Sequence, residues 1–193
     1  MKSKALAACF LTLAAVHAAT VSIDPVSQTI GVGDTVDVNV EITDVSDLYA
    51  FQFDVGFDPT LLAATSESEG PFLSSAGTTI FFPGTIDNVG GAVSGTADVL
   101  SGAISGASTS GTPSVLATLQ FTGLAEGTSA ISLSNIELLD SNLNDISFSS
   151  MDGSVTVVPS VGAVPEPRLI FVLFVGFLIL LAFHARRRRA SDQ

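Results

Sequence analysis

The stretch that decides the fold is residues 47–62, DLYAFQFDVGFDPTLL. Large apolar side chains recur at every second position and alternate with small or polar ones, which is the period of a strand with one buried face. The apolar set is Tyr49, Phe51, Phe53, Val55 and Phe57. A buried aromatic side chain removes about 150–250 Å² from water, so we predict that the other strands pack against this one. Proline cannot donate to a sheet ladder, and Asp58-Pro59 is therefore predicted to end the strand.

Alternation of the same kind flanks this stretch. Residues 34–43 place valine or isoleucine at every second position, and shorter strands are predicted at 21–24, 61–69, 78–82, 92–100, 115–121, 131–138 and 155–157. The phase changes between Leu133 and Ile136, which predicts a bulge near Ser134 and Asn135. No helical period of useful length precedes residue 169. The sequence thus predicts an all-β, two-layer antiparallel sandwich of seven to nine strands.

The N-terminus has the features of an export signal. Lys2 and Lys4 precede an apolar run over residues 5–16, and the small residues Ala18 and Ala19 follow. This order predicts a signal peptide over residues 1–19, with cleavage after Ala18 or Ala19. A lipoprotein-type cleavage before Cys9 is the alternative, but it would leave an apolar core of only four residues.

The C-terminus has the features of a membrane anchor. Residues 169–183 carry no charge, and a helix over 169–185 would measure about 26 Å against a hydrocarbon core of about 30 Å. The basic cluster Arg186, Arg187, Arg188 and Arg189 follows. Positive residues favour the cytoplasmic side, so the sequence predicts a transmembrane helix with a basic cytoplasmic tail over 186–193. The signal peptide predicts the same topology, with the N-terminal domain outside.

The linker over residues 159–168 contains the motif Val164, Pro165, Glu166 and Pro167 directly before this helix. Motif, helix and arginine cluster together resemble the PEP-CTERM sorting signal of certain Gram-negative bacteria. The resemblance implies recognition by an exosortase, which is a membrane-embedded processing enzyme, and delivery from the inner membrane to the cell surface or extracellular matrix. The alternative is a plain single-span anchor behind a proline-rich linker.

The predicted exported domain carries charge of one sign. Residues 20–167 contain no Lys or Arg but hold eighteen of the nineteen Asp and Glu. Such a polyanion is expected to avoid nucleic acid and to attract cations or basic partners. Cys9, His17 and His184 all lie in the end segments. Disulfides, Cys/His zinc sites and His-dependent nucleophiles are therefore excluded from the domain.

A series of motifs along residues 20–158 resembles the cohesin domain. In order, these are Gly33-Asp34 before a valine-rich strand, residues 48–62 with Phe57-Asp58-Pro59, residues 114–121, residues 130–139 and the closing DGSV of residues 152–155. The resemblance implies a nine-stranded jelly-roll sandwich, related in fold to some carbohydrate-binding modules. It also implies a dockerin-like protein partner.

Outward residues of the organising strand help cohesins to recognise dockerins, often through an Asn and an Asp. The corresponding positions here are Ala50 and Gln52, so this sequence departs from the cellulosomal pattern. Ala50, Gln52 and Asp54 form the candidate binding face. Together with the sorting tail, the resemblance implies a scaffold or binding module of the envelope or matrix, outside cellulosomes.

One loop has the spacing of a calcium site. Asp140, Asn142 and Asn144 take positions one, three and five of an EF-hand-like loop, but Asp145 stands where Gly is required and Met151 where Glu is required. Two interpretations remain open. The loop is either an Asn/Asp turn held by side-chain to backbone hydrogen bonds, or a weak calcium site formed by Asp140, Asn142, Asn144 and Asp145. The sequence requires no other cofactor.

Catalysis is not predicted. A glycosidase needs two carboxyl groups about 5–10 Å apart, one of them with a raised pKa. Asp37, Glu41, Asp54 and Asp98 occupy outward positions of the predicted strands and are therefore interpreted as solvated surface residues. With no visible acid and base pair, the domain is predicted not to be an enzyme, and a hydrolase is the least favoured function.

Binding of a polysaccharide, linked to polysaccharide catabolism, is the main alternative to binding of a protein. Direct sugar binding usually employs aromatic platforms, and only Phe72, Phe81 and Phe82 are expected near a loop rim. Adjacent residues of a strand point to opposite faces, so either Phe81 or Phe82 is predicted to face outward. The favoured function is that of a non-catalytic, exported cell-surface or matrix binding module.

Overall fold

The structure is a computed structural model that describes residues 18–102 and 105–160. The predicted signal peptide up to residue 17, the predicted sorting motif at 164–167, the predicted transmembrane helix and the cluster Arg186–189 lie outside the described residues. Among those described, no helix is long and apolar enough to cross a membrane.

Between residues 18 and 160, the described chain forms twelve strands and one short helix. In chain order they are β1 (Ala19–Asp24), β2 (Ser27–Gly31), β3 (Thr35–Thr43), β4 (Leu48–Gly56), β5 (Leu62–Glu69), α1 (Pro71–Ser74), β6 (Thr79–Phe82), β7 (Thr85–Asp87), β8 (Ala92–Leu100), β9 (Ser114–Gly123), β10 (Gly127–Asp140), β11 (Phe148–Met151) and β12 (Gly153–Val158).

Two sheets face each other around one core. The first has the order β11-β1-β3-β9-β5, and the second has the order β2-β12-β10-β4-β8-β6 with β7 paired to β8. The predicted all-β sandwich is confirmed, but two details of the prediction are wrong. Within the described residues there are more than nine strands, and β1 pairs β11 in parallel, as β2 pairs β12. The strands β2, β7 and β11 were missed because they are short, mostly exposed edge segments without apolar alternation.

The organising strand β4 packs as its pattern predicts over most of its length. Phe51 and Phe53 are buried and stack with ring centroids 5.7 Å apart, while Phe57 meets Phe121 of β9 edge to face at 5.2 Å. Tyr49 was predicted to be buried but is only half-buried. The ladder to β10 shifts between Leu139 and Asp140, and Leu48 takes the fully buried position instead.

Two bulges decide which residues of β10 and β8 face the core. The predicted bulge in β10 is confirmed, because the register to β4 shifts between Ser134 and Glu137 and Asn135 has a φ of 49°. A second bulge in β8 was not predicted. It lies at Gly95, which has a φ of 79°, between the pairs that Phe53 and Val55 of β4 make with β8. It shifts the inward phase, so that the buried residues of β8 are Val93, Thr96, Asp98 and Leu100.

The sandwich lies within one compact unit of the chain, which ends at Pro159. Among the described residues, the hydrophobic core is built from side chains between Ala19 and Val157. A segment with its own hydrophobic core is typical of an independent domain, so residues 19–159 are expected to fold by themselves.

Candidate functional site

The outer face of the second sheet carries two cross-strand rows of side chains. One row runs Leu139, Ala50, Val99 and Ile80, and the next runs Glu137, Gln52, Ala97 and Phe82. Each row crosses β10, β4, β8 and β6 in turn, and its members share one face because partners in register point the same way. We call these eight residues the outer patch. Six of the eight are apolar, although the patch faces away from the core.

The middle of the outer patch is a shallow depression of about 170 Å³. Ala50, Gln52, Ala97 and Val99 line it, and Phe82 stands at its β6 side. Phe82 is 54% exposed and its neighbour Ile80 is 49% exposed, whereas Phe81 is half-buried against the core. The prediction that one of the two adjacent phenylalanines faces outward is thus confirmed.

A second and larger depression, of about 610 Å³, adjoins the first across Gln52 and Glu137. Asp54, Asn135 and Asp145 lie along it, so its lining is acidic. The Asp54 carboxylate accepts hydrogen bonds from the Gly95 backbone N–H, at 2.6 Å, and from the Asn135 side-chain amide. Of the three predicted face residues, Ala50 and Gln52 therefore belong to the outer patch, and Asp54 holds two bulges in place beside it.

More than half of the outer patch lay outside the prediction, including Ile80 on β6. Ala97, Val99, Glu137 and Leu139 sit on β8 and β10, where the two bulges alter the phase of the side chains. A signal was present in the sequence: residues 97–100, ADVL, offer apolar side chains at both phases of a strand. Whichever face of such a strand is buried, the other face presents apolar side chains to solvent, which is typical of an interaction surface.

Asp98 was predicted to be a solvated surface residue, and this is wrong. It is 1% exposed and lies on the inner row between Phe51 of β4 and Phe81 of β6. Its Oδ1 accepts a hydrogen bond from the Val99 N–H at 2.8 Å, while its Oδ2 is buried without a partner among the described residues. Burial, and secondly the charge of Glu69, raise the pKa of Asp98 to about 6.

Two glutamates of β5 complete an acid cluster with Asp98. Glu67 Oε1 accepts a hydrogen bond from Thr96 Oγ1 at 2.7 Å and its Oε2 accepts one from the Gly84 N–H. Glu69 Oε1 accepts one from Thr79 Oγ1 at 2.6 Å. Burial raises the pKa of Glu67 as well. The acid cluster, defined as Glu67, Glu69 and Asp98, therefore ties the edge of the first sheet to strands of the second.

The loop after β10 has the geometry of an Asx turn. Asp140 Oδ1 accepts hydrogen bonds from the backbone N–H groups of Asn142 and Asn144, at 2.8 and 2.9 Å. The Asn144 amide adds a bond to Oδ2 at 3.0 Å. These bonds, those of Asn144 first, hold the pKa of Asp140 below its usual value. Asp145 bridges back to Leu139 through its backbone.

Calcium binding at this loop stays a prediction. Among the residues that the structure describes, no three His, Cys, Asp or Glu side chains stand close enough to hold a metal ion. The loop nevertheless offers amide oxygens as well as carboxylates, which are ligands that Ca²⁺ also accepts.

Comparison with known proteins places this geometry in a family. A model of the cohesin domain matches residues 19–157, which is the whole sandwich. No curated protein matches the chain.

Solved structures share the fold at low sequence identity. The non-cellulosomal cohesin of the hyperthermophilic archaeon Archaeoglobus fulgidus is 15% identical with a TM-score of 0.60, over 79% of this chain and 99% of the other. The sixth cohesin of scaffoldin B from Acetivibrio cellulolyticus, solved in complex with a mutant Cel5 dockerin, is 22% identical with a TM-score of 0.60, over 74% and 100%. A type I cohesin–dockerin complex from Clostridium thermocellum contains a chain that is 15% identical with a TM-score of 0.57, over 74% and 100%.

These solved chains match this chain over almost their full length, as expected for a domain that folds alone. Because the family model spans every strand of both sheets, the chain belongs to the cohesin domain family.

Proposed function

We propose that this chain is a non-catalytic scaffold module that binds a dockerin-like protein through the outer patch. One observation carries the proposal: six apolar side chains from four neighbouring strands lie side by side on the solvent face of the second sheet. Contiguous exposed apolar surface on a stable domain is typical of a protein interface. Two of the structural relatives were solved in complex with dockerins, which supports this class of partner.

Charge adds a constraint on the partner. Glu137 lies within the outer patch, Asp54 and Asp145 line the adjoining depression, and no Lys or Arg occurs anywhere in residues 20–167. We infer that the partner presents an apolar centre flanked by basic side chains. Complementary charges at a rim act mainly on the association rate, so the rate should fall as salt is added while the apolar centre continues to hold the complex.

The experiment uses the described domain, residues 19–159, immobilised and exposed to the native secretome. A recovered protein is then expressed and titrated against the wild-type domain and two variants. Phe82→Ala removes the most exposed apolar side chain of the outer patch, and truncation of an aromatic anchor at a hot spot costs about 2 kcal/mol or more, which is about thirtyfold in Kd.

Leu124→Ala is the matched control, because Leu124 is 48% exposed but lies in the turn between β9 and β10. Its Kd should equal that of the wild type. Equal loss in both variants, or a recovered partner without any dockerin-like module, would contradict the proposal.

We further propose that the protein is exported and sorted through its C-terminal tail. The support is the order of signal peptide, PEP motif, apolar stretch and arginine cluster in the sequence. Fractionation of a tagged full-length chain, with and without the exosortase gene of the host, tests this directly. Release to the cell surface or matrix only when the exosortase is present is expected. Retention in the inner membrane under both conditions would leave a plain anchor.

Polysaccharide binding remains the second candidate, and one observation favours it. Phe82 projects beside a depression that also offers the Gln52 and Glu137 side chains, which is the combination of a ring and hydrogen-bonding groups that sugars use. Affinity electrophoresis of residues 19–159 in native exopolysaccharide distinguishes the two candidates. Retardation that is lost in Phe82→Ala would favour the glycan, while unaltered mobility would leave the protein partner.

The acid cluster does not support a hydrolase function. A raised pKa next to a second carboxylate is the electrostatic pattern of a glycosidase acid, and Asp98 has it. The side chain, however, is closed between the sheets at 1% exposure, so a glycosidic oxygen cannot approach within hydrogen-bonding distance.

A further inference from the structure

One carboxylate oxygen of the acid cluster has no hydrogen-bond partner among the residues that the structure describes. Glu67 and Glu69 accept hydrogen bonds from hydroxyl and backbone groups, but Asp98 Oδ2 is buried and has no partner among the described residues. A buried ionised carboxylate without a donor or a counterion is strongly unfavourable.

The domain has no basic side chain that could form an ion pair with this carboxylate. Buried carboxylates are ordinarily paired with Lys, Arg or His, and residues 20–167 contain none of these. Glu69 lies on the same side of β8, because it accepts a hydrogen bond from Thr79, which stands two residues before Phe81, the β6 partner of Asp98. Its negative charge acts on Asp98, and two ionised carboxylates repel each other while neither can donate. If Asp98 is protonated, its neutral carboxyl group donates a hydrogen bond to Glu69. One of the two negative charges is then absent, so the repulsion is removed as well.

We propose that folded Asp98 keeps a proton and donates it to the Glu69 carboxylate, that this shared proton closes the β5 edge against β8, and that its loss at neutral pH loosens the outer patch. Asp98 acts on the outer patch through its two neighbours on β8, because Ala97 and Val99 both belong to the patch. The consequence for partner binding rests on the proposed function, whereas the proton itself does not.

The groups around Asp98 set the direction of the pH dependence. From β5, the charge of Glu69 acts on Asp98, and Glu67 bonds Thr96, the preceding inward residue of β8. The cross-strand partners of Asp98 on β4 and β6 are Phe51 and Phe81, which do not titrate. The pKa of Asp98 is raised from 3.8 to about 6, chiefly by burial. Because folding raises this pKa, the stabilising contribution is complete below about pH 4 and is lost as pH rises through about 6.

The test compares the wild-type domain with Asp98→Asn across this pH range. The amide has nearly the same shape and donates to Glu69 at every pH. The wild-type melting temperature should fall between about pH 4 and pH 7, while that of Asp98→Asn should fall less, through Glu67 alone of the cluster, and exceed the wild type at about pH 7. Glu126→Gln serves as the control, because Glu126 is exposed and lies away from the acid cluster. Its pH profile should follow that of the wild type.

Two site-specific readouts complete the test and remain decisive if Asp98→Asn fails to fold. In wild-type protein, the NMR signal of the Asp98 carboxyl carbon should titrate with a midpoint near 6. The amide signals of Ala97 and Val99 should shift with the same midpoint. Neither measurement uses a partner, so a failure here is distinct from a failure of the proposed function.

Three results would overturn the inference. One is an Asp98 carboxyl that titrates at about 4, as an unperturbed group would. Another is a pH profile of Asp98→Asn as steep as that of the wild type. The third is saturable stabilisation of the wild type by Ca²⁺ at about pH 7 that is absent in Asp98→Asn, which would mean that a cation and not a proton neutralises the cluster.

Discussion

Replacement of Phe53 by alanine tests whether the core is organised around β4. Phe53 is 1% exposed and its ring stacks on Phe51 with centroids 5.7 Å apart. Truncation of a buried phenylalanine to alanine costs about 3–5 kcal/mol, because apolar burial is lost and a cavity remains. A domain of this size is stable by about 5–15 kcal/mol. At the middle of both ranges, about 4 of about 10 kcal/mol, the variant should lose roughly two fifths of its stability and still fold.

The measurement is urea unfolding of residues 19–159, followed by far-UV circular dichroism. The transition midpoint of Phe53→Ala should fall with an unchanged slope, since a loss of stability without a change in the exposed area alters the midpoint alone. Phe82→Ala is the matched control, because the same atoms are removed from a side chain that is 54% exposed. It should cost less than about 1 kcal/mol. Equal costs for the two variants would refute the assignment of β4 as the centre of the core.

Two further predictions concern two glycines with positive φ and the loss of stability at acidic pH. Gly91 and Gly95 have similar φ values, 75° and 79°, but a Cβ on Gly91 would overlap the Phe57 carbonyl oxygen, whereas one on Gly95 would meet nothing within 4 Å. Gly95→Ala should cost about 1–2 kcal/mol from the φ angle alone and Gly91→Ala clearly more, in the same urea assay; equal costs would show that the close contact is relaxed without penalty. Asp87 accepts the Gly90 backbone N–H, which is the largest of the causes that hold its pKa below the usual value, so its stabilising contribution is present above about pH 4 and is lost as pH falls. Asp87→Asn should therefore lose less stability than the wild type between about pH 5 and pH 2, and an unchanged acid limb in a pH series of unfolding curves would contradict this.

The sequence predicted the strands whose two faces differ strongly. In β3 and β4, apolar residues occur on one face and polar residues on the other, so period alone fixes both the element and its orientation. The phase change in β10 was visible because isoleucine and leucine stand on both sides of it. The edge strand β11 carries no such contrast, since all four of its residues are exposed. Its position depends on pairing with β1, which is distant in the sequence.

Strand β8 shows why more than half of the candidate site was not predicted. Ala97 and Val99 are apolar and Asp98 is charged, so a rule that buries apolar residues puts Asp98 outside. The bulge at Gly95 and the pairing of β8 between β4 and β6 reverse this orientation. Propensity and period describe one strand at a time, whereas the orientation of β8 is set by the neighbours that hold both of its edges.

The exposure of the outer patch and the burial of Asp98 are therefore two sides of one structural fact. A strand with alternating faces cannot present Ala97 and Val99 to solvent without turning Asp98 inward, and the inward position lies opposite two glutamates in a domain without a single basic residue. The inward position of residue 98 is thus a direct structural consequence of the outward position of its two neighbours, whereas the acid that stands there is not. A chain that replaced Asp98 with leucine would keep the outer patch and lose the pH dependence, so the two properties, although linked by geometry, can be separated by experiment.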